Sequence, residues 1–322
     1  MTFLAPRLRR LPHHLHGWVP FLLFFSFLAW LWAPPVYGEH PPARTLTGHH
    51  GEIFGLAFDP ANRLLASGGG DQTIRVWDVQ TGRLHTILQG PTAPIRTLAF
   101  SPKGNFLASG ASDKTTRVWN LQTGKEAVSF SSVFGNIRAV AFSPDGEILA
   151  STGDGGSLRL LDWKANKELK AMKSGFGINY ALAFSPSGSV IATGSSDTQV
   201  HIWDAFSGQQ QTVFSGHAKA VLAVAFSPDG SLLASGSSDG TVKLWEVRTG
   251  RERGALHGHA GDINAVQPVE HWEYFRIKRF RCGLWRWPTM EHSWLPPAVT
   301  ESYIFNQPAF PRRRWLNPIH HR

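Results

Sequence analysis

The chain of 322 residues has one cysteine, Cys282. A single thiol excludes an intrachain disulfide and a zinc site built from several thiolates. The short motifs of phosphate and metal chemistry are missing too. No Gly-Lys-Ser or Gly-Lys-Thr is present, no dinucleotide-type glycine pattern opens a helix, and no two histidines stand at helical zinc spacing. There is also no Asn-X-Ser or Asn-X-Thr. His257 and His259 flank Gly258 and could share a metal, but His259 falls on a position that a repeat explains, as described below. No cofactor is expected.

Charge of one sign is scarce where the chain is regular. The net charge of +9 comes mostly from the ends: residues 1–47 carry four Arg and one Glu, and residues 267–322 carry nine Lys or Arg and four Glu. Between them, 19 basic residues face 18 acidic ones, which leaves +1. A body this close to neutral gives no polyanion footprint, so no nucleic-acid partner is indicated for it.

The N-terminal segment reads separately. Arg7, Arg9 and Arg10 precede an apolar run from Trp18 to Ala33, and Pro34 and Pro35 follow before a polar stretch. A basic start, an apolar middle and small residues such as Val36 and Gly38 match a secretory signal; the run is also short for a bilayer span. Residues 1–38 are therefore expected to be a signal peptide or an N-terminal membrane anchor. Either places the rest outside the cytoplasm: exported, secreted or periplasmic, or membrane-anchored. Membrane contact is expected only through residues 18–33, if they stay uncleaved. Residues 39–47 read as a linker with an orphan outer strand at Arg44-Thr45-Leu46.

What the chain does have is a unit repeated every 42 residues. Its cleanest copy is Ala220–Gly250, AVLAVAFSPDGSLLASGSSDGTVKLWEVRTG. Three β-rich runs are separated by Ser-Pro-Asp-Gly and Ser-Ser-Asp-Gly, and a fourth follows the turn at Gly250. Phe58, Phe100, Phe142, Phe184 and Phe226 form one column; Trp77, Trp119, Leu161, Trp203 and Trp245 form another. Four short strands per unit at this period are what a propeller blade requires. Asn62 replaces the turn glycines 104, 146, 188 and 230, and Asn166 replaces glycines 82, 124, 208 and 250. Substitution by the one residue type that best tolerates positive φ marks a backbone requirement.

Gly48-His49 with Asp71 and Trp77-Asp78, and Gly216-His217 with Asp239 and Trp245-Glu246, make the chain resemble the WD-repeat β-propeller family. The resemblance implies an all-β fold, a propeller of four-stranded blades, with five complete repeats over 48–266 plus the first strand of a sixth. It also implies hydrogen-bonded tetrads inside single blades: His49, Ser67, Asp71 and Trp77 in the first, His217, Ser235, Asp239 and Trp245 in the fifth. The middle repeats depart from it. Pro91, Val133 and Gly175 stand where histidine belongs, and the third repeat has Leu161 for Trp and its acid one place early, at Asp154. Those blades are expected to hold by packing, with incomplete networks.

The function implied is a non-enzymatic scaffold that binds other proteins. Two alternatives remain open: a ligand-binding or enzymatic propeller that uses a central channel, and a truncated sensor fragment of a longer protein. The nucleophile-elbow pattern at 236–240 falls between two strands, whereas that motif needs a strand-to-helix turn. Columns that are constant serve the fold, and columns that vary are free for something else. One column near the start of the first strand reads Phe54, Arg96, Arg138, Tyr180, Leu222, Asn264, a mixture that includes common interface anchors, and it is the candidate partner-binding face.

The sixth repeat opens with Gly258-His259 and runs to Val266, after which Gln267-Pro268 replace Ala-Phe. No further repeat motif follows in 267–322, a basic Trp/Pro/Arg-rich tail holding five of the chain's thirteen Trp. A weaker reading has the alternation around Phe275 and Ile277 supply substitute strands. So abrupt a change inside a strand suggests a shift of reading frame near codon 267. Translation of the other two frames beyond that codon is expected to recover Ala-Phe-Ser-Pro and Trp-Asp motifs; their absence would leave the tail a genuine extension.

Overall fold

The computed structural model describes residues 45–173, 175, 177–268, 275–278 and 302–303. The segment read as a leader and most of the tail lie outside the described residues. Every described strand belongs to one compact unit, Arg44–Arg322.

Five antiparallel sheets of four strands each follow one another, and a three-stranded sheet comes after them. The first is β1 (Ile53–Phe58), β2 (Leu64–Gly69), β3 (Ile74–Asp78) and β4 (Leu84–Leu88), hydrogen-bonded in that order. The other four repeat this meander, their first strands being Ile95–Phe100, Ile137–Phe142, Asn179–Phe184 and Val221–Phe226. This is the all-β arrangement of propeller blades that the 42-residue period predicts. Among the described residues no helix occurs.

The turns follow from their residues. Asn62 has φ of 54°, beside 75° at Gly104 and 76° at Gly146, so the asparagine takes the left-handed conformation the glycines take. The serine of Ser-Pro-X-Gly has a second task that composition alone did not reveal. Buried Ser143 Oγ accepts the N–H of Ile148 at 2.9 Å, and Ser227 Oγ accepts that of Leu232 at 2.9 Å. In the first repeat the Asp59 carboxylate does the same for Arg63 and Leu64, at 2.5 and 2.7 Å. Each such acceptor ties the start of the second strand to the end of the first.

The core lies between sheets, not within one. Each of the three middle sheets presents one face to the blade before it and the other to the blade after it. Between blades 2 and 3, for example, Ala108, Val118 and Phe130 from one side meet Ile137, Val140, Phe142 and Trp163 from the other. Burying each large side chain in such a seam is worth about 1.5–3 kcal/mol, so these seams supply most of the stabilisation.

How close two blades come is set by a glycine in the second strand. A Cβ on Gly68 would stand 2.6 Å from Ile95 Cγ2 of the next blade, and one on Gly236 would stand 2.5 Å from Ile263 Cγ2. The same nesting joins Gly110 to Ile137 and Gly194 to Val221. Between blades 3 and 4 both partners change together: Thr152 replaces the glycine and Asn179 the branched aliphatic residue. Both are buried, and Asn179 Nδ2 donates to Thr152 Oγ1 at 3.0 Å while Thr152 Oγ1 donates to the Ser157 carbonyl at 2.7 Å. A polar lock thus replaces an apolar one at a single seam.

The sixth repeat is started and then diverted. Ile263 and Val266 are buried against blade 5, as the corresponding residues of earlier repeats are buried against theirs. The strand Ala265–Pro268 pairs with Phe275–Lys278, which pairs with Ser302–Tyr303. The outer strand expected at 44–46 is not formed in its described part: Thr45 and Leu46 carry no strand pairing. A strand is defined by a neighbour's backbone, and among the described residues no sheet edge lies against them.

Thr152→Val is expected to lower the free energy of unfolding by about 0.5–1.5 kcal/mol, since the Asn179 amide loses this acceptor. The double change Thr152→Gly with Asn179→Ile, which restores the pattern of the other seams, is expected to recover most of that loss. Urea unfolding midpoints check both.

Candidate functional site

Five of the six residues of the variable column share one backbone feature. In blade 1 Ile53 pairs with Gly69 and Gly55 with Gly68, so Phe54 is left over as the extra residue of a β-bulge. Arg96, Arg138, Tyr180 and Leu222 are the extra residues at the same place in blades 2 to 5. A bulge frees a residue from the ladder and re-aims its side chain, which is why this column can vary without disturbing the sheet. Phe54, Arg96, Arg138, Tyr180 and Leu222 are half-buried; Asn264, just ahead of Ala265–Pro268, is exposed.

The residue two places earlier is held by its backbone whatever its side chain. The carbonyls of Glu52, Pro94, Asn136, Ile178 and Ala220 accept the N–H groups of Gly70, Ser112, Asp154, Ser196 and Ser238 at 2.7–3.0 Å. One constant bond therefore fixes the approach to each bulge.

Four of the column's side chains pair across blade borders. The Arg96 guanidinium carbon lies 4.4 Å from the Phe54 ring centroid, and Arg96 Nε donates to Ser112 Oγ at 2.8 Å. The Arg138 carbon lies 5.7 Å from the Tyr180 ring, and its Nε donates to Asp154 Oδ1 at 2.9 Å. Cation–π contacts this exposed are worth about 0.5–1 kcal/mol, so they orient the guanidinium groups more than they stabilise the fold. The displaced acid of the third repeat, Asp154, is thereby joined to the face.

Beneath the face lie the networks. His49 Nδ1 lies 2.9 Å from Asp71 Oδ2 and its Nε2 2.8 Å from Ser67 Oγ, to which Trp77 Nε1 donates at 2.8 Å. In blade 5 the same distances hold among His217, Asp239, Ser235 and Trp245: 2.9, 2.8 and 2.8 Å. An acid, an imidazole and a serine in this order resemble a nucleophilic triad. The serine is buried, however, and its oxygen accepts the indole N–H, so no substrate carbonyl can reach it.

The carboxylates also collect donors that the histidine pattern did not point to. Asp71 accepts the N–H groups of His50 and Thr73 and the Thr73 hydroxyl; Asp239 accepts those of Ala218 and Thr241 and the Thr241 hydroxyl. Burial alone would raise the Asp71 carboxyl, but these bonds outweigh it and hold it at about 2. Asp239 is lowered further by the same balance. His217 is pushed down by burial, which Asp239 only partly opposes, so the ring is neutral at neutral pH.

The middle blades replace the missing histidine from the third strand. In blade 2 Arg117 Nη1 donates to Asp113 Oδ2 at 2.8 Å, and Trp119 keeps its bond to Ser109 at 2.9 Å. In blade 4 His201 Nε2 lies 2.9 Å from Asp197 Oδ2, and Trp203 donates to Thr193 at 3.1 Å. The acid thus regains a basic partner there, but that partner makes no bond to Ser109 or Thr193, and His201 Nδ1 is buried without a partner, so these networks stay incomplete, as expected. Blade 3 has no counterpart: Arg159 pairs with Glu168 instead, and Trp163, two places beyond the lost Trp position, packs 4.7 Å from Phe106. The signal was a basic column, Arg75, Arg117, Arg159, His201 and Lys243, which reads in sequence as an exposed strand face.

A chain of four-stranded repeats with bulge-presented variable residues and buried His–Asp–Ser–Trp networks defines a class of β-repeat proteins. The model of the WD domain, G-beta repeat, matches residues 41–78, 82–120, 128–162, 167–204 and 208–246, and the chain belongs to that family. Among its relatives, Eukaryotic translation initiation factor 3 subunit I of Neurospora crassa is 47% identical over 49 residues, 15% of this chain and 14% of that protein. Pre-mRNA-splicing factor prp46 of Aspergillus fumigatus is 44% identical over 52 residues, 15% and 12% of the two chains. Ribosome biogenesis protein erb1 of Aspergillus niger is 35% identical over 96 residues, 29% and 11%. The matches thus span less than a sixth of each of these relatives.

These relatives correct the expectation of export. Their names describe translation initiation, splicing and ribosome biogenesis, processes of the eukaryotic cytoplasm and nucleus, and point away from a secretory route. An apolar stretch behind a few arginines is a compositional pattern, and it does not fix a destination by itself. Residues 1–38 lie outside the described residues, and among the described ones no helix is long and apolar enough to cross a membrane.

The networks give the fold an acid side. A histidine whose pKa is depressed contributes stability that is complete above about 6.5 and is lost as pH falls through that value; a depressed carboxylate contributes above about 4 and is lost below. The melting temperature is expected to decline in two stages, the first starting near pH 6.5 and the second near pH 4. His217→Gln is expected to lower the plateau and flatten the first stage, as thermal unfolding followed against pH would show.

Proposed function

We propose that the chain is a non-enzymatic scaffold whose partners are other proteins, bound through the face that carries Phe54, Arg96, Arg138, Tyr180, Leu222 and Asn264. The observation that carries this reading is the bulge: a first-strand column freed from the ladder in all five blades carries side chains of different chemistry, Phe, Arg, Arg, Tyr and Leu. The fold keeps the position and leaves the chemistry open, as a recognition surface requires. The stacked Arg96–Phe54 and Arg138–Tyr180 pairs hold two guanidinium groups in fixed orientation, which lowers the entropy lost on binding. The relatives' names, all from multi-component processes, support a partner that is a protein subunit of such an assembly. The buried serines of the networks argue against hydrolysis.

Arg96→Ala with Arg138→Ala tests the assignment. Partner capture is expected to fall by about tenfold or more, in keeping with the loss of interface arginines. The melting temperature is expected to change little, because half-exposed pairs of this kind contribute about 1 kcal/mol or less. Undiminished capture by a folded double variant would remove the face from the proposal.

A further inference from the structure

Four seams join the five complete blades, and each is made from the same two halves. One half is the side a blade turns towards its successor; the other is the side it turns towards its predecessor. Blade 1 has a partly used predecessor side, on which Leu65 and Trp77 are buried while Phe58 and Val79 are exposed, and blade 5 a partly used successor side, so the two spare portions are the complementary ones.

Exposure along the repeat columns shows this. Phe142 and Phe226 are buried in their seams, whereas Phe58 of blade 1 is 46% exposed. Leu121, Trp163 and Ala205 are buried, whereas Val79, their equivalent in blade 1, is 40% exposed. At the other end, Leu88, Phe130, Met172 and Phe214 are all buried, but Leu256 in the same column is only half-buried; Leu244 differs in the same way from Val76, Val118, Leu160 and Ile202. Ile263 and Val266 complete a buried cluster on this side of blade 5, and Leu244 and Leu256 pack against its edge while staying half-buried. Among the described residues, Phe58 and Val79 stand in a small group of large exposed apolar residues, and Leu84 and Ile87 of the same blade are exposed as well. An exposed cluster of this kind marks a contact surface.

We propose that a second copy of this chain covers these halves, the successor side of blade 5 in one copy docking on the predecessor side of blade 1 in the next. The four internal seams are the template for the contact: in each, residues of these columns already pack against one another in this orientation. The contact is heterologous, so it closes into a ring or extends, and it does not stop at a symmetric dimer.

Sedimentation velocity of the full chain over a wide range of concentration tests the proposal. The wild type is expected to form dimers and larger species as concentration rises. Phe58→Glu and Leu256→Glu, each alone, are expected to be monomeric at concentrations where the wild type associates, with melting temperatures near that of the wild type. An equal mixture of the two is expected to recover dimers and nothing larger, because it restores one seam and only one. Should either glutamate variant fail to fold, Val79→Ser and Leu244→Ser serve in the same scheme. A wild type that stays monomeric throughout, because the chain covers its own faces or leaves them bare, would overturn the idea. So would a mixture of folded variants that stays monomeric, since a symmetric contact could not be rescued in this way.

Discussion

A sheet of four short strands buries neither face by itself, so everything here depends on how closely consecutive sheets approach. That distance is set where a second-strand residue without a side chain receives a branched residue from the next blade, as Gly68 receives Ile95. Any Cβ at this point would push the sheets apart and open the seam along its length, with the loss of contact that a core cavity entails. The exception supports the rule. Where Thr152 fills the space, Asn179 replaces the aliphatic partner, and a buried hydrogen bond substitutes for the nested methyl groups. The seam tolerates either solution but not half of each.

The same economy explains why one strand can hold both fold and recognition. In the first strand of blades 2 to 5, the residue just before the bulge packs into the preceding sheet, and the bulge residue escapes the ladder. Ile95 and Arg96 are neighbours in sequence with opposite obligations. The first cannot change unless a residue in the preceding blade changes too. The second can become Phe, Tyr or Leu with no consequence for the sheet, so variation accumulates there.

Much of this was legible before any coordinate. The period, the turns and the identity of the blade networks follow from residue types at fixed offsets, because turns and caps are local physics. The bulge was not legible, since a two-for-one pairing leaves no mark in composition. Nor were the roles of Arg117 and His201: a basic residue in the third strand reads as solvated surface until the missing histidine leaves a carboxylate for it to meet. The Ser143 and Ser227 anchors were hidden for a similar reason, their turns being already explained by Pro and Gly. Where the pattern was read through composition alone, at the N-terminus, it misled about destination.

The distribution of the networks follows from position in the array. A repeat protein's stability is close to a sum of what each unit contributes and what each seam contributes. Blades 2, 3 and 4 have a complete neighbour on both sides, and these are the blades whose histidine is gone. Blades 1 and 5 have one complete seam each, and these keep the full His–Asp–Ser–Trp arrangement, with the Asp carboxylates held well below their ordinary range. An interior blade is fixed in place by two apolar faces and can lose a hydrogen-bonded strut at a cost of about 1 kcal/mol. A terminal blade has half that packing, and fraying begins there, so its internal network carries a larger share of what keeps it flat and in register. The irregular middle and the regular ends are then two results of one constraint: order is retained inside a blade in proportion to what its neighbours do not supply.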